Sequence, residues 1–201
     1  MARPSKTALF EAAKRWDVAT VKALLAAAPA LVMATDPKGR TALHVACAVS
    51  PGRQDLGEPH GVNTAEVLLD AGAPLEAAVP MDEAEGDFRA TPLWYAVSRG
   101  CNLPLVRALL QHGADPSYSL WAVVWRDDAD MCRELLAAKP RLNLVADGET
   151  PILRGASAAA ENPRSSHRGR RRSVDRGPAR ARRGRDCVRA APAEAHNRAP
   201  Q

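Results

Sequence analysis

Thr-Ala-Leu-His-Val-Ala-Cys, at residues 41–47, is the stretch that decides the fold of this chain. A related stretch, TALFEAA, begins at Thr7, 34 residues earlier, and another, TPLWYAV, begins at Thr91. Each is followed by a second apolar segment, such as VKALL at residues 21–25. Recurrence at a period near 33 residues is typical of stacked helical repeats.

Each copy carries the signals that start and end a pair of helices. A Thr ahead of an apolar run favours a helix start, and the Pro that follows Thr91 suits the first helical turn. The second segment places its apolar residues on one face at helical spacing. Gly72 and Gly113 follow such segments, where a left-handed residue commonly ends a helix. One helix pair cannot bury its apolar face alone, so we expect the pairs to stack.

TALHVAC and TPLWYAV resemble the ankyrin signature T-P-L-H-x-A-A, and LLQHGAD at residues 109–115 resembles the family's L-L-x-x-G-A-D ending. The resemblance covers about residues 5–153. It implies an all-α fold, an ankyrin-repeat solenoid of helix-turn-helix repeats with short β-hairpin fingers. The copies occupy about residues 5–35, 36–76 and 77–117, a degenerate copy 118–146, and a partial copy 147–153.

Three departures from the repeat pattern fall at turns. Roughly nine extra residues lie between Cys47 and Leu68, within a stretch that includes residues 51–61, and we expect them to form an exposed loop at the turn between the two helices. A second insertion, residues 80–88, falls where the family has its finger and carries four acidic residues. It is either a solvated finger or a surface that recognises a basic partner. The finger after residue 110 should be shortened or absent.

The net charge of +5 is unevenly distributed along the chain. Residues 1–153 carry 15 basic and 19 acidic side chains, whereas residues 154–201 carry 13 Arg, no Lys and four acids. The second segment also lacks Leu, Ile, Phe, Met and Trp, so it cannot build a core. The sequence therefore predicts a disordered, Arg-rich C-terminal tail after residue 153.

Three interpretations of this tail remain open. It is a basic extension that holds polyanions, or it carries a short import or kinase motif at residues 168–173 (RGRRRS), or it is translated out of frame. Arg, Ala, Gly, Pro and Ser are what a GC-rich gene yields in a shifted frame, and a shift of one base permits an ankyrin-like helix ending near residues 173–185. The nucleotide sequence of the gene would decide between these interpretations.

Motifs of nucleotide-binding, hydrolase and metalloprotease sites are missing, so we expect no enzyme activity and no cofactor. His44 is expected to bond backbone groups near the finger, as the resemblance implies. Four separated cysteines suggest neither a zinc site nor a disulfide framework, and they fit a reducing cytoplasm. No apolar run reaches the length of a membrane span.

Aromatic and Arg side chains in the first helices of two adjacent copies are the candidate partner-binding residues, since Trp, Tyr and Arg are enriched at binding hot spots. The resemblance implies that four of them are exposed: Tyr95, Arg99, Trp125 and Arg126. Trp94 and Trp121 stand at the His position of the signature, so they either contact the partner or pack beneath the finger.

The resemblance implies a non-catalytic scaffold that binds a partner protein through the concave face and fingers, most simply as a monomer. The alternative is a regulator or delivered effector whose basic tail contacts nucleic acid or another polyanion. Because the fifth copy stops after its first helix begins, we expect the C-terminal edge to fray from about Asp147.

Overall fold

A computed structural model of the chain describes residues 4–53, 58–80, 89–124, 128–145 and 148–153. These residues are mostly helical. The helices are α1 (Lys6–Lys14), α2 (Val18–Ala27), α3 (Ala42–Cys47), α4 (Glu58–Asp70), α5 (Pro92–Tyr95), α6 (Leu103–Gln111), α7 (Ser119–Val124) and α8 (Ala129–Ala137). Short 3₁₀ segments lie at Pro29–Met33 and Pro51–Arg53, and a π-helical segment, Ala96–Gly100, continues α5.

The helices pack in two rows. The odd-numbered helices form a first row, in which α3 contacts both α1 and α5, and α5 contacts α7. The even-numbered helices form a second row, in which α4 contacts α2 and α6, and α6 contacts α8. Each first-row helix also packs against the second-row helix that follows it. Four helix pairs therefore stack side by side in chain order.

The helix starts follow the capping signals of the sequence. The Thr91 hydroxyl accepts a hydrogen bond from the Trp94 backbone N–H at 3.3 Å, and Pro92 occupies the first turn of α5. Second-row helices begin in the same way, because the side chain of Asn102 accepts from the Leu105 N–H at 3.2 Å. Such caps satisfy donors that have no partner within the helix.

The third helix pair contains one residue more than the first between its opening Thr and its buried Val. The interval from Thr91 to Val106 is 15 residues, whereas the interval from Thr7 to Val21 is 14. Both Val side chains are fully buried. The π-helical segment at Ala96–Gly100 accommodates the additional residue, as single π-turns in α-helices commonly do.

Two hairpin-like turns connect the helix pairs. Strands β1 (Val79–Pro80) and β2 (Arg89–Ala90) pair antiparallel, and an isolated bridge joins Thr35 to Thr41 in the preceding turn. The acidic insertion between β1 and β2 lies outside the described residues. The structure describes residues 112–118 throughout and contains no strand there, in agreement with the shortened finger expected from the sequence.

The insertion in the second pair differs from the expectation of an exposed loop. Glu58 begins α4, so the last part of the insertion is helical, and Gly61 is buried. A side chain at Gly61 would stand 2.8 Å from the ring of Trp16. The contact with Trp16 explains the difference, because burial against a residue 45 positions away leaves no mark on local sequence. Residues 54–57 lie outside the described part.

The core lies between the two rows and thins toward the C-terminal end. Several Leu side chains of the first three pairs are completely buried there, among them Leu9, Leu43, Leu68, Leu93 and Leu105. Beyond α8 the described apolar residues are largely exposed, among them Leu142, Val145, Ile152 and Leu153. The Arg-rich segment 154–201 lies outside the described residues.

Candidate partner-binding surface

Tyr95 is an aromatic residue of the first row that the protein covers only in part. It is half-buried at the end of α5, and its ring stands edge-on to two others. The centroid of the His44 ring lies 5.5 Å away at 87°, and that of Trp94 lies 5.3 Å away at 79°. Edge-to-face pairs of this kind are favourable and fix ring orientation. Tyr95 is therefore held in place by neighbours from its own and the preceding helix pair.

Arg40 is fixed beside Tyr95 by Asp36. One carboxylate oxygen of Asp36 accepts from Arg40 Nε at 2.8 Å and from Arg40 Nη2 at 2.7 Å, and the other accepts from the backbone N–H groups of Lys38 and Arg40, both at 2.9 Å. Burial raises the pKa of Asp36, but these hydrogen bonds and the charge of Arg40 outweigh it and lower the pKa. The turn at residues 36–40 thus presents an ordered guanidinium.

The hydroxyl of Tyr95 lies within the electrostatic reach of two Arg side chains. Burial raises its pKa, while the charges of Arg40 and Arg99 and a hydrogen bond with Arg40 lower it, and burial prevails. Tyr95 is consequently a neutral phenol at physiological pH, flanked by two permanent cations. We call Arg40, Tyr95 and Arg99 the Tyr95 cluster.

Arg99 owes its position to the π-helical segment. It precedes Gly100, where an added Cβ would stand only 2.3 Å from the carbonyl oxygen of Cys47, so the two first-row helices approach closely here. Cys101 then adopts a left-handed conformation with a φ of 50°, which lets Asn102 cap α6. Arg99 itself is exposed, and none of the described acidic residues forms an ion pair with it.

The structure places the six candidate residues from the sequence in three different settings. Tyr95 is half-buried and Arg99 is exposed. Trp94 and Trp121 are 8% and 5% exposed, so both rings pack in the core and support the surface from beneath. Trp125 and Arg126 lie outside the described residues.

Arg40 completes the Tyr95 cluster, but neither Arg40 nor Asp36, which holds it in place, was among the candidates from the sequence. The stretch DPKGR, at residues 36–40, could have indicated the ordered turn, because an Asp two to four residues ahead of backbone N–H groups commonly organises a turn. The proximity of Arg40 to Tyr95 could not be predicted, since the two residues lie 55 positions apart in the sequence.

His44 is structural. Its Nδ1 accepts a hydrogen bond from the Thr41 backbone N–H at 3.1 Å and lies 2.9 Å from the Thr41 hydroxyl, which forms a capping box. Burial lowers its pKa to about 4, against the opposing influence of backbone groups at Ala77 and Ala90. His44 is therefore neutral at physiological pH, and its backbone bonding agrees with the expectation from the sequence.

Chemistry of other kinds finds little support among the described residues. Burial raises the pKa of the Cys47 thiol strongly, which leaves it protonated and unreactive. No three His, Cys, Asp or Glu side chains of the described ranges converge as metal ligands would. Within those same ranges, every helix is too short or too polar to cross a bilayer.

Trp16 is a structural residue whose importance the sequence patterns did not reveal. It lies after α1 in a left-handed conformation with a φ of 53°, which is rare for a bulky side chain. Its indole N–H donates to the Ala46 carbonyl oxygen at 2.9 Å, and its ring covers Gly61. Trp16 thus joins the first helix pair to the second.

Residues 89–119, which include β2, α5 and α6, match the family model named Ankyrin repeat. This segment of the chain is an ankyrin repeat. Among curated proteins, none matches the chain in sequence. Ankyrin repeats generally act in protein–protein interaction, so the family supports a binding role without specifying a partner.

Proposed function

We propose that the protein is a non-catalytic scaffold that binds a partner protein through the first-row helices and the turns at their ends. In this proposal the four helix pairs are ankyrin repeats of one solenoid, at about residues 5–35, 36–76, 77–117 and 118–146. The observation that supports it best is the Tyr95 cluster, where Tyr95 is oriented by His44 and Trp94 and lies beside the exposed Arg99.

Rigid aromatic and Arg side chains are well suited to protein recognition. A half-buried Tyr provides apolar contact area and a hydroxyl, and little conformational entropy is lost on binding when the ring is already fixed. The second row offers a poorer surface, because its exposed charged groups are partly engaged with one another. Arg107 of α6 pairs with Glu134 of α8, and Arg133 pairs with Asp130.

The setting we propose is the cytoplasm, with the protein as a monomer before it binds its partner. The three cysteines in the described ranges, Cys47, Cys101 and Cys132, are free thiols. Free thiols are typical of a reducing compartment.

Site-specific photo-cross-linking in the full-length chain tests the proposal. A photoreactive phenylalanine analogue replaces Arg99 in the first row, and the matched control carries it at Arg133, an exposed Arg of the second row. We expect one protein to be cross-linked in cells at position 99 and not at position 133, with both variants folded by circular dichroism. The same products at both positions, or none at position 99, would overturn the proposal.

A further inference from the structure

The charge around Tyr95 differs in sign from the charge of the repeat region as a whole. Residues 1–153 carry an excess of four acidic side chains. Among the residues that the structure describes, the charged side chains that act on Tyr95 are Arg40, Arg99 and Asp36, and these leave one positive charge in excess. A local reversal of sign of this kind selects partners of opposite charge and guides their approach.

The two guanidinium groups play different parts in this reversal. Arg40 is held by Asp36 through both Nε and Nη2, so its orientation is set before any partner arrives. Its side chain remains 30% exposed. Arg99 is exposed and has no ion pair with any acidic residue in the described ranges, so it is available to an external anion.

The aromatic ring of Tyr95 near the two Arg side chains restricts the kind of anion. Tyr95 is only half-buried, so part of its side chain offers apolar surface close to these charges. A protein segment with an acidic side chain next to an apolar one can pair with an Arg and cover the apolar surface of Tyr95 at once. A nucleic-acid strand brings a phosphate at every nucleotide, and Asp36 beside Arg40 opposes that density of negative charge.

From this geometry we infer that the Tyr95 cluster binds an acidic protein segment in which a carboxylate pairs with Arg99 and an adjacent apolar side chain packs on Tyr95. The inference rests on the proposed function, since it specifies the chemistry of the partner at the same surface. Charge-assisted hydrogen bonds from a guanidinium to a carboxylate supply the specificity.

The test is peptide titration of the full-length protein followed by two-dimensional NMR. The probe is a dodecapeptide of alternating Glu and Leu, compared with its Gln-Leu counterpart and with a twelve-nucleotide single-stranded DNA. Residue-resolved shifts are needed because the 13 Arg residues after residue 153 also attract acidic peptides. We expect saturable shifts at the amides of Arg40, Tyr95 and Arg99 with the Glu-Leu peptide alone.

Matched variants complete the test. Arg99→Ala should weaken the binding measured from these shifts by about twofold to fivefold, a typical range for one exposed ion pair. Arg133→Ala, which removes an equivalent charge from the second row, should leave it unchanged, and raised salt should weaken it.

Three outcomes would overturn the inference: shifts confined to residues 154–201, equal shifts with the Gln-Leu peptide, or equal shifts with the DNA. Its failure is distinguishable from that of the proposed function. If a protein cross-links at position 99 and the Glu-Leu peptide does not displace it, the proposed scaffold function stands and the acidic partner segment is ruled out.

Discussion

The junction between the second and third helix pairs and the C-terminal end of the stack are built from similar residues and packed very differently. At the junction, Leu43 and Leu93 are fully buried, and Gly100 approaches the backbone of Cys47. At the end, Ile152 and Leu153 are 67% and 53% exposed. The comparison teaches that burial in this protein depends on whether another pair follows, because each pair is covered by the next.

Replacing Leu93 by Ala should have the largest effect, because it leaves a cavity in the packed junction. We expect a loss of about 2–5 kcal/mol in the free energy of unfolding, measured by urea denaturation monitored through circular dichroism. Leu153→Ala is the matched control at the other end. Its side chain is half-exposed, and we expect a change within about 0.5 kcal/mol. Equal losses in the two variants would contradict the comparison.

Acid should destabilise the packed region through His44. The pKa of His44 is about 4 in the folded protein and 6.5 in its ordinary state, so below pH 6.5 the unfolded chain takes up a proton that the folded chain refuses. Stability is therefore fully present above about pH 6.5 and falls as the pH decreases toward 4, by an amount on the order of 3 kcal/mol. Urea denaturation at pH 7.5, 6, 5 and 4 measures this decrease.

The control for this pH profile is His44→Gln. A Gln at this position can keep the capping box with Thr41, because it too accepts from the backbone N–H there. It has no proton to gain, so the decrease between pH 6.5 and 4 should largely disappear. The pKa values of Asp17, Asp36 and Asp115 are lowered from 3.8, so these carboxylates lose their stabilising effect below the tested interval. If His44→Gln loses as much stability between pH 6.5 and 4 as the unmodified protein, a group other than His44 is responsible for the decrease.

Gly100→Ala should weaken the same junction by a different route. Ala normally stabilises a helix relative to Gly by about 1 kcal/mol. Here the added Cβ would stand 2.3 Å from the Cys47 carbonyl oxygen, a backbone atom that can move only with its helix. We expect a net loss of about 1–3 kcal/mol in thermal or urea unfolding. Gly52→Ala, with open space around it, should be close to neutral, and a stabilised Gly100→Ala would refute the close approach.

Local signals account for the parts of this structure that the sequence predicted. Helix starts at Thr41 and Thr91 follow from side-chain caps within three residues, and the burial of His44 follows from its place in the repeated signature. The first copy differs slightly, because Ser5 rather than Thr7 caps α1 and accepts from the Ala8 N–H at 3.2 Å. The ankyrin character of the chain was predicted correctly from these signals.

Long-range packing accounts for what could not be predicted. The π-helical turn before Arg99 depends on fitting an extra residue against Cys47, and the left-handed Trp16 depends on a carbonyl oxygen 30 residues away. The Tyr95 cluster shows the same difference between local signals and long-range packing. Tyr95 and Arg99 could be selected by residue type and repeat position, whereas Arg40 joins them only in the folded protein.

Hydrogen exchange tests the difference between the packed junction and the exposed C-terminal end at single amides, where we expect the smallest effect. The last described turn begins after Gly148, which has a φ of 73°, and the Leu153 N–H in it donates to the Thr150 hydroxyl at 3.3 Å. Because the side chains of Ile152 and Leu153 are 67% and 53% exposed, this turn has little burial to hold it closed, and we expect their amides to exchange close to the rate of an unstructured chain.

The amides of α3 and α6 should exchange far more slowly in the same NMR or mass-spectrometric experiment, and those of α8 at an intermediate rate. This gradient follows from packing, since α6 contacts both α4 and α8, whereas α8 has a described neighbour in its row on one side only. Slow exchange at Ile152 and Leu153 would mean that something covers the C-terminal edge. The C-terminal end would then be packed in the same way as the junction between the second and third helix pairs.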